Sequence, residues 1–174
     1  MRVVNFFGGP GIGKSTLAAG HFWDLKASGR SAELVTEYAK DVTWEGRQNL
    51  LNDQLYLLAK QNRRLARLLD HDIDYAVTDS PLLLCAAYAR MGTNSYSSLV
   101  PLVLELFNSY DNVNIVLKRN PEFYVQVGRS QTVDQAIKID EIVIDMLDEF
   151  SIPYKVLEID NDPMNSLAAV AGLY

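Results

Sequence analysis

A glycine-rich loop near the N-terminus constrains this chain more than any other feature. The loop reads GGPGIGKS at residues 8–15, directly after the apolar run VVNFF, and a helical repeat of apolar residues follows it. Glycines allow backbone N–H groups to point inward, and the N-terminus of the next helix adds the positive end of its dipole. A G-x-x-x-x-G-K-S pattern between a strand and a helix predicts a phosphate-binding loop.

The chemistry of the loop side chains assigns them to a nucleotide and a metal ion. Lys14 is predicted to reach the β- and γ-phosphates of ATP, and the Ser15 hydroxyl to bind Mg²⁺. Asp79 ends the apolar segment YAVTD, where it either holds the same ion or caps the next helix. The predicted magnesium ligands are Ser15 and Asp79. The predicted nucleotide-binding residues are Gly9, Gly11, Ile12, Gly13, Lys14, Ser15, Thr16 and Arg119.

Strand patterns alternate with helical patterns along the whole chain. Short apolar runs fall at residues 3–7, 31–37, 73–79, 112–119 and 154–159. This alternation predicts an α/β fold, in which helices cover both faces of a mostly parallel sheet. Ligands of such sheets bind at the carboxyl ends of the strands. We therefore expect the site near Gly8, Glu37, Asp79 and Arg119.

Length and composition limit the protein class. The chain has 174 residues, of which 48% are hydrophobic, so we expect a single domain over residues 1–174. One cysteine, Cys85, permits no internal disulfide, which favours a reducing, cytoplasmic setting. No apolar run approaches the roughly eighteen residues of a membrane span, so no membrane partner is expected. The net charge of -6 is unfavourable for a broad nucleic-acid-binding face, although a local groove stays open.

Other classes that use such a loop fit the sequence less well. A GTPase needs N-K-x-D and D-x-x-G motifs, and the segments LKRN and DSPL supply neither. Motor and AAA-type ATPases usually have a longer chain, an acidic pair at the strand end and an arginine for a neighbouring subunit. Here Asp79 stands alone before Ser80. A kinase is favoured, and a non-enzymatic nucleotide-binding switch stays open.

The layout resembles the small P-loop nucleoside and nucleotide kinases over nearly the whole chain. Its segments LVTEYAKDVTW and NDQLYLLAKQ are similar to a region of the deoxynucleoside kinases. The resemblance implies a three-layer α/β/α fold with strand order 2-3-1-4-5, Glu37 as general base, Trp44 as an aromatic neighbour and Gln54 as reader of the base. It departs at the third strand, where those kinases have E-R-S or D-R-S and this chain has D-S-P. The segment EYAK is also similar to the ribosylnicotinamide-kinase-like group, which includes many phage proteins.

The predicted catalytic residues follow from this resemblance and from the chemistry of phosphoryl transfer. A carboxylate such as Glu37 can take the proton of an attacking hydroxyl, whereas a phosphate acceptor needs no base. The kinases of this group carry a lid at residues 119–131, where Arg119 and Arg129 would cover the phosphates and Gly128 would act as a hinge. Ordinary surface positions are the alternative for Glu37 and for both arginines. The catalytic set is Lys14, Glu37, Asp79 and Arg129.

A stripe of basic residues leaves open whether the acceptor is a free nucleoside or a nucleotide within DNA. Its members recur at steps of three and four: Lys60, Arg63, Arg64 and Arg67. Most such stripes are solvated helix faces. At a cleft mouth, however, the stripe would guide a polyanion, as in a kinase that phosphorylates 5-hydroxymethyluracil or a 5′-hydroxyl end in phage DNA. A nucleoside monophosphate kinase and a homodimer also stay open. The predicted substrate-binding residues are Glu37, Trp44, Gln54 and Arg64.

Overall fold

The architecture comes from a computed structural model that describes residues 1–92, 96–119, 132–159 and 163–171. The strands are β1 (Arg2–Phe7), β2 (Ala32–Val35), β3 (Tyr75–Thr78), β4 (Asp111–Lys118) and β5 (Lys155–Glu158). The helices are α1 (Lys14–Ala27), α2 (Tyr38–Trp44), α3 (Gln54–Ala66), α4 (Leu83–Met91), α5 (Leu99–Asn108), α6 (Val133–Glu149) and α7 (Pro163–Ala171). A short 3-10 helix, Gln48–Asn52, precedes α3.

The five strands form one parallel sheet in the order β2-β3-β1-β4-β5, which confirms the predicted fold class and strand order. β1 lies at the centre and is buried from Val3 to Phe7. Because successive side chains of a strand point to opposite faces, Phe6 and Phe7 enter different apolar clusters. Phe6 packs with residues of α1 and α7, and Phe7 packs with residues of α4, α5 and α6. Helices on both faces therefore hold the end of β1, and the glycine loop after it, in place.

Leucines at steps of three or four predict one long helix over residues 48–70, with an apolar face formed by Leu51, Leu55, Leu58, Leu65 and Leu69. This prediction is wrong in the extent of the helix. The chain instead forms the 3-10 helix and then α3, which ends at Ala66. The break occurs at Asp53, whose side chain accepts a 2.9 Å hydrogen bond from the N–H of Tyr56 and caps α3. Leu55 and Leu69, which were predicted for the apolar face, are 42% and 55% exposed.

Thr132 with Gln135 three residues later predicts a capping box at the start of a helix that ends near residue 150, and this start is confirmed. In the capping box each side chain accepts a hydrogen bond from the other residue's backbone N–H. The first two turns of α6 lie beside the glycine loop, and the helix packs on α4. Among the described residues, no helix combines the length and the apolar character that a membrane crossing requires.

Candidate active site

The glycine loop connects β1 to α1 at the carboxyl edge of the sheet. Gly13 is the N-cap of α1 and has a φ of 97°, a left-handed conformation that a residue with a Cβ adopts only with strain. α1 therefore begins at Lys14, and its first N–H groups, which have no partner within the helix, face the loop. This arrangement is an anion-binding site built from backbone.

The ammonium group of Lys14 is folded into this loop. Its Nζ donates to the carbonyl oxygens of Gly8 and Gly9, at 2.7 and 2.8 Å. Burial lowers the pKa of Lys14, and the electrostatic influence of nearby carboxylates partly opposes that effect. Those carboxylates belong to Glu37, Asp79 and Asp140. Lys14 is thus held in the glycine loop by two backbone carbonyls, under the electrostatic influence of three carboxylates and of Arg119.

Ser15 and Asp79 bring the start of α1 and the end of β3 together. Ser15 Oγ donates a 2.5 Å hydrogen bond to Asp79 Oδ2. Asp79 is only 4% exposed, and within the described chain its Oδ1 has no hydrogen-bond partner. A buried carboxylate oxygen without a donor is costly, and a cation would satisfy it. A hydroxyl and a carboxylate fit Mg²⁺, which commonly binds through one or two protein groups, the substrate phosphates and water.

The alternative role for Asp79, a helix cap, is not the one that the structure displays. The N-cap of α4 is Leu82, and no side chain makes a cap hydrogen bond there. Ser80 donates its backbone N–H to Thr78 Oγ1 rather than to Asp79. The carboxylate of Asp79 is therefore directed to Ser15 and the glycine loop.

Glu37 follows β2 and occupies the N-cap position of α2, but its side chain does not cap that helix. The residue is half-buried. Its carboxylate contributes to the raised pKa of the Tyr88 hydroxyl and of the Cys85 thiol, although burial is the larger cause for both groups. Cys85 and Tyr88 lie on α4, and Glu37 also influences Lys14. The carboxylate of Glu37 is therefore near enough to the glycine loop and to α4 to influence titrating groups on both.

Arg119 lies beside the glycine loop, and its guanidinium group is hydrogen-bonded to Pro10 and Asp140. Its Nη2 donates to the carbonyl oxygen of Pro10 at 3.0 Å, and its Nε donates to Asp140 Oδ2 at 2.5 Å. The side chains of Arg119 and Asp140 are 9% and 16% exposed. Asp140 Oδ1 also accepts the backbone N–H of Gly9 at 2.5 Å. Arg119 is thus at the predicted place, as a brace between the end of β4, α6 and the loop.

Asp140 is a site residue that the sequence analysis missed. It lies on α6 in line with the buried residues Ala136, Val143 and Leu147, at helical steps of four, three and four. A carboxylate on the apolar face of an amphipathic helix was the signal that could have identified it. The hydrogen bond from the Gly9 N–H to Asp140 also requires a glycine at position 9. A Cβ there would lie 2.4 Å from the carbonyl oxygen of Ala136.

Comparison with known proteins adds the family. A family model described as an AAA domain matches residues 3–162. The chain belongs to this family. Its length and the single acidic residue at the end of β3, Asp79, were nevertheless unfavourable for an AAA-type ATPase in the sequence. No curated protein matches the sequence.

Two solved structures share the fold of this AAA domain along its whole length. Thymidylate kinase from Ehrlichia chaffeensis is 16% identical, with a TM-score of 0.65, and the match covers 99% of this chain and 98% of that one. Deoxyadenosine kinase from M. mycoides, with products dCMP and dCDP bound, is 14% identical, with a TM-score of 0.63, and the match covers 99% and 97%. The AAA domain therefore has the nucleoside and nucleotide kinase variant of the P-loop fold.

Apart from Glu37, the residues predicted to bind the acceptor lie on α2 and α3 of the AAA domain, in differing surroundings. Trp44, at the end of α2, is 72% exposed. Gln54 donates its side-chain amide to the carbonyl oxygen of Leu51 at 2.7 Å. Arg64 donates to the carbonyl oxygen of Thr36 at 2.9 Å and pairs with Asp41. Gln54 and Arg64 thus have protein partners, and substrate contacts by these three residues stay predictions.

The cations of the basic stripe have different neighbours. Lys60 lies over the rings of Tyr38 and Tyr56, with its Nζ 5.5 Å from the Tyr56 ring centre. The guanidinium carbon of Arg64 is 5.2 Å from the ring centre of Tyr38, and Arg63 lines a groove between α3 and α5. A role of the stripe in guiding a polyanion stays a prediction.

The predicted lid lies almost entirely outside the described residues. Arg129 and Gly128 belong to residues 120–131, so the roles expected of them stay predictions.

Proposed function

We propose that this AAA domain is an ATP- and Mg²⁺-dependent kinase that phosphorylates a hydroxyl group of a nucleoside- or nucleotide-type acceptor. The observation that supports the proposal is that two carboxylates of different surroundings act electrostatically on Lys14. Asp79 is buried and hydrogen-bonded to Ser15, whereas Glu37 is half-buried after the end of β2. One carboxylate suits a metal ion and the other suits proton transfer.

The donor half consists of the glycine loop, Lys14, Ser15 and Asp79. The backbone N–H groups at the start of α1 bind phosphate oxygens, and Lys14 exchanges the carbonyls of Gly8 and Gly9 for the β- and γ-phosphates. Ser15 and Asp79 would hold Mg²⁺, which neutralises phosphate charge when it is bound. Arg119, fixed beside Gly9 and Pro10, adds a positive charge at the rim of this half.

The acceptor half depends on Glu37. As the acceptor oxygen forms its bond to the γ-phosphorus, the bond from that phosphorus to the β–γ bridging oxygen breaks and ADP leaves. The acceptor hydroxyl loses its proton in the same process, and the carboxylate of Glu37 receives it. An acceptor that is already a phosphate would give Glu37 no proton to take, so the residue favours an alcohol.

The nature of the neighbours supports a nucleoside-type acceptor. The deoxyadenosine kinase has been solved with dCMP and dCDP, with dATP and with dCTP, and another similar structure is a thymidylate kinase. Deoxynucleosides are therefore the first acceptors to test. Deoxynucleoside monophosphates and hydroxymethylated or 5′-hydroxyl DNA are the other acceptors that the experiment must distinguish.

The decisive experiment incubates the protein with γ-labelled ATP and Mg²⁺ and separate panels of acceptors. The panels are free deoxynucleosides, ribonucleosides, deoxynucleoside monophosphates, plain DNA and DNA containing 5-hydroxymethyluracil. We expect label on a hydroxyl of one panel, no transfer by Lys14→Ala, and a loss of about 10²–10⁴-fold in kcat for Glu37→Gln with ATP affinity retained. Glu33→Gln is the matched control, because Glu33 is an exposed residue of the neighbouring strand β2.

Each outcome has a defined meaning. Transfer to a phosphate rather than a hydroxyl, with full activity of Glu37→Gln, would indicate a monophosphate kinase and remove Glu37 from the mechanism. Label on DNA alone would make the acceptor polymeric. Tight ATP binding with release of phosphate only to water would make the protein a nucleotide-binding switch and overturn the proposal.

A further inference from the structure

The two peptide groups on either side of Glu37 are both bound by one buried side chain of α3. Gln61 is 3% exposed. Its Oε1 accepts the backbone N–H of Tyr38 at 2.9 Å, and its Nε2 donates to the backbone carbonyl of Thr36 at 3.3 Å. The side-chain amide of Gln61 thus binds the backbone on both sides of Glu37, the candidate base.

A second residue of α3 strengthens the same contact. Arg64, one turn after Gln61, donates to the carbonyl oxygen of Thr36 at 2.9 Å and to Thr36 Oγ1 at 3.0 Å. It also pairs with Asp41 of α2, and its guanidinium group lies over the ring of Tyr38. The carbonyl before Glu37 therefore has two donors, both from the face of α3 that is turned to α2.

These contacts matter because Glu37 lies where regular structure ends. β2 ends at Val35 and α2 begins at Tyr38, so the sheet does not fix Glu37 and the first N–H of α2 has no partner within that helix. Gln61 supplies that partner, because the side chain of Glu37, which occupies the N-cap position, makes no cap hydrogen bond. Burial of an amide side chain is unfavourable unless the amide is hydrogen-bonded. Gln61 therefore stabilises the fold only when both peptide groups lie within hydrogen-bond distance of it.

We propose that Gln61 is a positioning residue that fixes the backbone of Glu37, so that the carboxylate reaches the hydroxyl of a nucleoside-type acceptor. The inference depends on the proposed role of Glu37 as base. A general base must lie within hydrogen-bond reach of the proton, and a displacement of about 1 Å can reduce the rate about a hundredfold. Gln61 contributes no atom to the reaction and acts through Glu37 alone.

The test compares Gln61→Met with Asn62→Leu. The first substitution removes both peptide contacts at similar side-chain volume. The second removes a hydrogen bond from the next position of α3, where Asn62 Oδ1 accepts the hydroxyl of Tyr110 at 2.9 Å, away from Glu37. The acceptors are deoxyadenosine, deoxycytidine, deoxyguanosine and thymidine, each measured separately, and an oligonucleotide with 5-hydroxymethyluracil. We expect Gln61→Met to lower kcat about 10–100-fold with an unchanged Kd for ATP, and Asn62→Leu to change kcat less than about twofold.

A double-mutant cycle separates positioning from general damage. In the Glu37→Gln background, we expect Gln61→Met to cost no more than about twofold, because the base it positions is already absent. Gln61→Glu serves as the conservative variant. It keeps an acceptor for the Tyr38 N–H but places an oxygen against the Thr36 carbonyl, and we expect an intermediate loss. Circular dichroism and thermal unfolding verify that each variant is folded at the assay temperature.

The outcomes distinguish this inference from the function on which it rests. If Glu37→Gln is inactive while Gln61→Met has full activity, or if the two losses multiply, Gln61 does not position Glu37 and the proposed function stands. If wild-type protein transfers phosphate to no hydroxyl, or if Glu37→Gln is fully active, both fail together. If Gln61→Met does not fold, the Gln61→Glu variant decides, and a kcat equal to that of wild type rejects the inference.

Discussion

Ser15 Oγ donates a 2.5 Å hydrogen bond to Oδ2 of Asp79, and Oδ1 of the same buried carboxylate has no hydrogen-bond partner among the residues that the structure describes. The two residues are 64 positions apart in the chain and belong to the start of α1 and the end of β3. Their contact places a hydroxyl and an unsatisfied carboxylate oxygen beside the phosphate-binding loop. These two groups would suit a magnesium ion, whose other ligands would come from phosphate oxygens and water.

Replacement of Asp79 by asparagine is expected to uncouple nucleotide binding from Mg²⁺. The amide oxygen can still accept from Ser15, but the negative charge that attracts the cation is lost. We expect wild-type protein to be stabilised against heat more by ATP with Mg²⁺ than by ATP with EDTA, and the variant to show at least about a tenfold loss in apparent Mg²⁺ affinity. Thermal unfolding with a Mg²⁺ titration at constant ATP measures this.

Asp74→Asn is the matched control for that prediction. Asp74 immediately precedes β3 at the opposite end and accepts the backbone N–H of Ser31 at an exposed position. The control should respond to Mg²⁺ like wild type. An equal Mg²⁺ response of Asp79→Asn and Asp74→Asn would contradict the assignment of Asp79.

The sequence predicted those parts of the site that depend on local pattern. The glycine loop, Asp79 at a strand end and the capping box of Thr132 can each be recognised within a few residues, and the strand order followed from resemblance to a kinase family. The extent of α3 was wrong because Asp53, an ordinary polar residue in the helical pattern, serves as a cap. Leucine periodicity alone could not distinguish one long helix from a short one with a break.

The residues that the sequence analysis missed make contacts between distant segments. Asp140 meets Gly9 across 131 positions, and Gln61 meets the peptide groups beside Glu37 across 23 and 25. Such contacts depend on which helix faces pack together, which a single sequence does not display. Both residues nevertheless share one feature that is visible in the sequence, a polar side chain on the apolar face of a helix.

Gly9→Ala is expected to damage both stability and nucleotide binding. A Cβ at Gly9 would lie 2.4 Å from the carbonyl oxygen of Ala136 and 3.0 Å from Asp140 Oδ1, so either the loop or α6 must move. Overpacking of this kind costs about 1–3 kcal/mol in the free energy of unfolding, and we expect the displaced loop to bind ATP at least about tenfold more weakly. Urea unfolding and ATP titration measure the two effects.

Gly92→Ala provides the control for Gly9→Ala. At Gly92 the nearest atoms to an added Cβ are 3.7 and 3.9 Å away, which is ordinary contact, and its φ is -86°. This variant should change the unfolding free energy by less than about 0.5–1 kcal/mol and leave ATP binding unchanged. Equal behaviour of the two variants would show that α6 does not hold the loop closely.

The ion pair between Arg119 and Asp140 is expected to contribute far more to the free energy of unfolding than the adjacent ion pair between Lys118 and Glu158. Arg119 and Asp140 are 9% and 16% exposed, whereas Lys118 and Glu158 in the adjacent pair are 63% and 75% exposed. Removal of one partner of a mostly buried pair costs about 3–5 kcal/mol, whereas an exposed pair contributes little because solvent screens its charges. We expect Asp140→Ala to destabilise strongly and to weaken ATP binding, while Glu158→Ala does neither. Double-mutant cycles on both pairs give the two coupling energies, and similar values would refute the role of the brace.

Cys85 is expected to be unreactive in the folded protein and to make stability depend on alkaline pH. It is 8% exposed on α4, and burial, with a smaller effect of Glu37, raises its pKa to about 12. At pH 8 iodoacetamide should therefore modify it only after denaturation, because the thiolate is the nucleophile.

Above the ordinary thiol pKa the unfolded chain loses a proton that the folded chain keeps at Cys85, so the free energy of unfolding falls as pH rises from about 9 towards 12. Relative to Cys85→Ala, which lacks this proton, wild type should lose about 1 kcal/mol of unfolding free energy by about pH 10. Parallel pH profiles of the two proteins, or rapid alkylation under native conditions, would mean that the thiol is accessible to solvent.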